Sequence, residues 1–174
     1  NPDTLTNIVF MGMGEPLANY RNVVDAIRLL TDNKTGFGFS RRKVTLSTAG
    51  LVPEMDALGR DTQISLAVSL NATDNTTRSQ LMPINRRYPI EMLLEACRRY
   101  PLRPHRRITF EYILLKGIND RSADARRLAA LLRPIRAKIN LIPFNEHEGC
   151  AFRRPSEEVI LQFQQHLVDQ GYTA

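Results

Sequence analysis

Three observations in this 174-residue chain predict an α/β fold of alternating strands and helices. Short runs rich in Val, Ile, Leu, Phe or Thr recur at 7–13, 43–48, 64–71, 107–115 and 138–144. The segments between them carry apolar residues at helical spacing. Several of the strand runs also split into an apolar face and a small, polar face. Strand followed by helix followed by strand means βα units, a parallel sheet and right-handed crossovers.

The first run, Ile8 Val9 Phe10 Met11, breaks into Gly12, Met13, Gly14, Glu15 and Pro16, so a buried strand ends in a glycine-flexed turn. Residues 20–32 then place Val23, Val24, Ile27 and Leu30 on one helical face, with Asn19 as the expected cap. Strand 43–48 leads to a short helix at 53–59, and strand 64–71 to another at 75–81. Residues 89–99 stack Ile90, Leu93, Leu94 and Cys97, and Pro89 suits the first turn. After strand 107–115, Asn119 and Asp120 form a loop into helix 122–132, with Asp120 or Ser122 expected to cap it. Strand 138–144 precedes a last helix that opens at Ser156, carries Glu157 and Glu158 in its first turn and buries Val159, Ile160, Phe163 and Leu167. That pattern stops at Gly171, and Tyr172 and Thr173 read as the start of a further strand. The chain reads as one domain, 1–174, cut at both ends.

Five strands fall short of an eight-stranded barrel of about 250 residues, which leaves an open sheet or a partial barrel. The strand faces carry more information. Leu66, Val68 and Leu70 oppose Ser65, Ala67, Ser69 and Asn71; Val44 and Leu46 oppose Thr45 and Ser47; Phe110, Tyr112 and Leu114 oppose Thr109, Glu111 and Ile113. A barrel filled by side-chain packing would show Val, Ile and Leu on both faces, because unpaired buried hydroxyls cost about 1–3 kcal/mol each. The polar face therefore expects a polar ligand.

Composition narrows the class. At 43% hydrophobic and 24% charged the chain has an ordinary globular make-up, with no apolar stretch near the roughly 20 residues of a membrane span and no signal-peptide pattern. No membrane partner and a cytoplasmic location are expected. Cys97 and Cys150 form neither a disulfide framework nor a metal-binding spacing. The net charge is +6, and the basic residues cluster at Arg41 Arg42 Lys43, Arg86 Arg87, Arg98 to Arg107, Arg126 Arg127 and Arg153 Arg154. Such clusters serve either as a solvated, salt-paired surface or as a phosphate-contacting one.

Candidate binding groups lie at strand ends, where parallel sheets place ligands. They are Gly14 and Glu15 in the first turn, Ser47, then Ser69 and Asn71, and Asn145 after Pro143 Phe144. Each alone would be a turn or cap residue, but together they converge on one sheet edge. Other chemistries fail on sequence. A dinucleotide fingerprint would need glycine at Leu17, there is no P-loop lysine and no nucleophile elbow, and His105, His147 and His166 lack metal spacing. Glu111 suits either a ribose hydroxyl or a buried pairing with an arginine.

The ordered motifs Phe10 to Pro16, Val44 to Gly50, Ser69 Leu70 Asn71 Ala72, Met82 Pro83 Ile84 Asn85 and Leu141 to Asn145 resemble the bacterial radical-SAM RNA adenine methyltransferases over nearly the whole chain. The resemblance implies a partial (βα) barrel of the radical-SAM type. It also implies methylation of carbon 2 of an adenine in large-subunit ribosomal RNA, with transfer RNA a second substrate in some members. Carried over residue by residue, it implies that Gly14 and Glu15 contact the methionine part of S-adenosylmethionine. Ser47 and the stretch Ser69, Leu70, Asn71 would hold its carboxylate and ribose, and Asn145 would reach the adenosine end. Many relatives carry His at Asn71, so the resemblance implies a backbone contact there and does not carry a side-chain contact over.

The family also binds a 4Fe-4S cluster through C-x-x-x-C-x-x-C, which Cys97 and Cys150 do not supply. Its methyl-carrying and resolving cysteines have no match either. The family's radical, made by reductive cleavage of S-adenosylmethionine, acts on a methyl group held on a cysteine. This piece is thus expected to carry the cofactor-binding wall and to be inactive alone. The rival readings are a radical-SAM enzyme for a small molecule or peptide, a non-catalytic RNA-binding module, and an aldolase-like barrel, for which no strand-end lysine is present.

Overall fold

Five strands pair in parallel in the order of the sequence: β1 (Ile8–Phe10), β2 (Val44–Thr48), β3 (Ser65–Ser69), β4 (Ile108–Leu114) and β5 (Ala137–Pro143). The computed structural model describes residues 5–174. Between the strands run α1 (Tyr20–Thr31), α2 (Val52–Thr62), α3 (Asn75–Leu81), α4 (Ile90–Arg99), α5 (Ser122–Leu132) and, after β5, α6 (Glu157–Asp169).

Register aligns the two faces across the whole sheet. Leu46 pairs with Leu66, and Val68 with Phe110, which pairs with Ile139. This apolar face is buried with Val24 and Ile27 of α1, Met55 and Leu58 of α2, Leu93 and Leu94 of α4, Leu128 and Leu132 of α5 and Phe163 and Leu167 of α6. Each such buried side chain contributes about 1.5–3 kcal/mol, so this one layer carries most of the hydrophobic stabilisation. Tyr112 of β4 stacks on Phe163 at 5.5 Å and donates its hydroxyl to the Asn119 carbonyl at 3.0 Å, which joins α6 and the β4–α5 loop to the middle of the sheet. Ser47, Ala67, Ser69 and Glu111 lie on the opposite face, with Val9 and Met11 of the β1 end half exposed beside them.

All five expected strands and all six expected helices form, with differences at their ends. β1 stops at Phe10 rather than at 13, because Gly12 and Gly14 adopt φ of +148° and +102°, values that break strand geometry and favour glycine. Asn19 does not cap α1 through its side chain. Its amide oxygen accepts from Asn22, and the chain enters α1 through a 3₁₀ turn, Pro16–Asn19, capped by Glu15. At α5 neither Asp120 nor Ser122 caps: Asp120 accepts from the Gly117 N–H, and Asp124 accepts from the Arg121 N–H. Ser156 does cap α6, accepting from the Val159 N–H. Tyr172 and Thr173 lie outside any strand, although the Thr173 carbonyl accepts one ladder-like bond from Ile139 of β5.

Candidate functional site

The carboxyl ends of β1 to β4 meet around a cleft of about 240 Å³ on the polar face of the sheet. Gly14, Glu15, Ser47, Ser69 and Glu111 line it, among apolar walls that include Met11, Ile113 and Ile142. Glu15 is fixed by two backbone amides. Its Oε1 accepts from Leu17 N at 3.0 Å and its Oε2 from Ala49 N at 2.6 Å, so one carboxylate ties the β1 loop to the end of β2.

On the floor, Glu111 takes both serine hydroxyls on a single oxygen. Ser47 Oγ donates to Glu111 Oε2 at 2.8 Å, and Ser69 Oγ donates to the same atom at 3.2 Å. Register explains the geometry: Ser69 lies directly beside Glu111, whereas Ser47 lies beside Ala67, whose small side chain lets the carboxylate reach across β3. No cation lies within salt-bridge distance of Glu111 among the described residues. Of the two alternatives for Glu111, the buried pairing with an arginine is therefore absent.

The remaining candidates divide. Leu70 is fully buried on the apolar face; its N–H donates to the Glu111 carbonyl and its own carbonyl accepts from Arg78 Nε. Asn71 adopts φ +57°, its Oδ1 accepts from Ile113 N at 2.9 Å, and its carbonyl accepts from Asn119 Nδ2 at 2.7 Å. The backbone groups of Leu70 and the side chain and carbonyl of Asn71 are thus engaged within the protein, where they shape the wall beside Ser69. Asn145 is exposed in the loop after β5, at the same edge of the sheet but outside the lining of the cleft.

Sequence reasoning misses Arg78. This α3 side chain is fully buried, and its guanidinium donates to the carbonyls of Leu70 (3.1 Å), Ala49 (2.8 Å) and Ser69 (3.1 Å) and to Asn85 Oδ1 (3.0 Å). It therefore joins the ends of β2 and β3 directly behind the cleft. Burial lowers its pKa to about 10, which still leaves it charged at neutral pH. One signal was available: Arg78 lies three residues before Leu81, on the inner face of a seven-residue helix.

Topology sorts the basic clusters by edge. Arg86, Arg87, Arg153 and Arg154 follow strands and stand at the cleft edge, while Arg41, Arg42, Arg103, Arg106, Arg107 and Arg136 precede strands and stand at the opposite one. There a wider hollow of about 840 Å³ is lined by Arg106, Arg107, Arg133 and Arg136. None of the six ion pairs among the described residues uses Arg41, Arg42, Arg103, Arg106, Arg107 or Arg136, whereas Arg98 and Arg99 at the end of α4 pair with Glu95 and Asp56.

Residues 3–129 match the family described as the Radical SAM superfamily. The chain belongs to that superfamily. The radical SAM relatives include a protein from Desulfosudis oleivorans named Dual-specificity RNA methyltransferase RlmN, 63% identical over 171 residues, which cover 98% of this chain and 46% of that protein. The protein of the same name from Geobacter sulfurreducens is 58% identical over 96% of this chain and 46% of its own length. A crystal structure of a radical SAM methyltransferase from Sphaerobacter thermophilus superposes with a TM-score of 0.92 at 49% identity, over 98% of this chain and 50% of that one. A domain of pyruvate-formate lyase-activating enzyme from Bacteroides vulgatus shares the fold, with a TM-score of 0.74 at 24% identity. The chain spans about half the length of the curated relatives it matches. Its five strands are an arc of the radical SAM barrel, and the polar face that carries Glu111 is the inside of that arc.

The cysteines do not fit a cluster. Cys97 is buried in α4, with its thiol pushed up to about 12 by desolvation, and Cys150 lies in the loop after β5. Among the described residues no group of three His, Cys, Asp or Glu is placed to hold a metal ion, and no helix is long and apolar enough to cross a membrane.

Proposed function

We propose that this chain forms the S-adenosylmethionine-binding wall of a radical SAM RNA methyltransferase that methylates carbon 2 of adenine in large-subunit ribosomal RNA and in transfer RNA. The observation that carries this reading is the meeting of Gly14, Glu15, Ser47 and Ser69 in one cleft at the carboxyl ends of the strands. The high identity to relatives named as dual-specificity RNA methyltransferases supports the RNA substrate over a small molecule or peptide.

The donor set suits the cofactor. Glu15 fixes the loop that would receive the methionine part, the two serines present hydroxyls for carboxylate or ribose, and Asn145 stands at the edge where the adenosine end would reach. When bound, S-adenosylmethionine supplies the methyl and adenosyl groups, and the protein's share is to position them and exclude water. A volume of about 240 Å³ is below the range of roughly 300–1,000 Å³ for small-molecule pockets, so this wall encloses only part of the ligand. The 4Fe-4S cluster proposed for the enzyme has no fitting ligands among the described residues.

The test is Glu15→Ala in the full-length enzyme. Loss of the two hydrogen bonds that Glu15 accepts from backbone amides frees the β1 loop and the end of β2. S-adenosylmethionine affinity and 2-methyladenosine formation in ribosomal and transfer RNA fragments should both fall at least tenfold. Unchanged affinity and methylation would remove the cleft from the function.

A further inference from the structure

We infer that Glu111 is a ligand-contacting residue of the cleft, accepting a ribose hydroxyl of the bound nucleoside on its free oxygen. This rests on the reading of the cleft as an S-adenosylmethionine site and adds a residue to it.

Three observations carry it. Glu111 is only 6% exposed, yet it has no cationic partner among the described residues. Its two protein hydrogen bonds both fall on Oε2, from Ser47 and Ser69. Its Oε1 accepts from no described residue and is not among the fully enclosed unpartnered atoms, so it opens into the cleft that the side chain lines. A carboxylate oxygen that faces the cleft with no protein donor is an open acceptor, and a ligand donor can take the place of water there.

Glu15 cannot play the same part so readily, because each of its oxygens already takes a backbone amide. The serines fix Glu111 in place by holding Oε2, which leaves Oε1 pre-aimed at a ligand. A fixed carboxylate accepting a sugar hydroxyl is the arrangement by which nucleotide sites select ribose. The neighbouring strand adds Asn140, beside Glu111 in register and exposed on the same face, so the acceptor is flanked by polar groups on both sides. Hydrogen bonds to a charged acceptor are about twice as strong as neutral ones, which sets the size of the effect.

The test is equilibrium binding to the full-length protein, read by calorimetry and independent of turnover. Four ligands are compared: S-adenosylmethionine, S-adenosylhomocysteine, and the 2′-deoxy and 3′-deoxy forms of the latter. On the native protein at least one deoxy form should bind about tenfold more weakly than S-adenosylhomocysteine. Glu111→Gln should weaken S-adenosylmethionine and S-adenosylhomocysteine by a similar factor and leave that deoxy form unchanged.

Equal binding of all ribose forms by the native protein would overturn the inference without using any variant. A loss in Glu111→Gln confined to S-adenosylmethionine would also overturn it, by assigning the carboxylate to the sulfonium charge. Native protein that binds neither parent ligand would overturn the cofactor reading itself, and this inference with it.

Discussion

Cys97 sits on the inner face of α4 at 1% exposure, with its thiol raised from an ordinary 9.0 to about 12 by desolvation. The sign follows directly. The unfolded thiol ionises near 9 while the folded one stays protonated, so the stability it contributes is complete below pH 9 and is lost as pH rises from about 9 to about 12. Cys97→Ala should flatten that part of the stability curve, as measured by urea midpoints across the alkaline range. Iodoacetamide at neutral pH should label Cys150 of the native protein and reach Cys97 only on unfolding.

Single residues also show what a sequence conceals. Glu15, Ser47 and Ser69 were legible because each closes a strand run, and strand ends of a parallel sheet converge. Arg78 was not, since a charged side chain in a short helix reads as surface until its carbonyl partners, contributed by three other residues around two strands, are known. Asn71 lies just beyond the end of β3, and its left-handed backbone and its bond to Ile113 depend on the neighbouring strand.

At the scale of elements, the outcome turns on α3 and what it holds. Arg78 couples this short helix to the ends of β2 and β3 through three hydrogen bonds to carbonyls, with a fourth to Asn85. Arg78→Met keeps the volume of the stem and removes all four of its hydrogen bonds, so the carbonyls of Ala49 and Ser69 lose their guanidinium donor and that of Leu70 keeps only the Ala72 N–H. The expected cost is about 3–5 kcal/mol, read as a drop in the urea midpoint at unchanged slope. Arg78→Lys should recover only part of it, because one ammonium cannot reproduce the planar fork.

The strands themselves were readable to within a few residues, since β-branched runs end at Gly, Pro or Asn. α2 ran three residues past its expected end. Nothing in Arg60 Asp61 Thr62 stops a helix, and Thr62 returns its hydroxyl to the Leu58 carbonyl. The caps are less readable, because Glu15 caps the 3₁₀ turn before α1 rather than α1 itself, and at α5 the carboxylate comes from Asp124 inside the first turn.

For the whole molecule, topology decided what composition left open. A net charge of +6 could have meant a uniform surface, but the arginines fall at two opposite edges of the sheet. Only the edge that holds the cleft can touch a ligand seated there. Replacing Arg86 and Arg87 by Gln should lower the slope of log affinity against log salt for a short RNA by about 1.4–1.8, the share of two phosphate contacts. The Arg41→Gln, Arg42→Gln pair should leave that slope unchanged. Filter-binding titrations over a range of salt distinguish the two.

The length of the strands gives this division a further meaning. β4 spans seven residues, Ile108–Leu114, which at about 3.3 Å each holds the two edges roughly 20 Å apart. That exceeds two Debye lengths at physiological ionic strength, about 8 Å each. Far-edge guanidiniums are therefore screened from any charge held at the cleft, and a single polyanion meets both edges only if it is long enough to reach round the sheet.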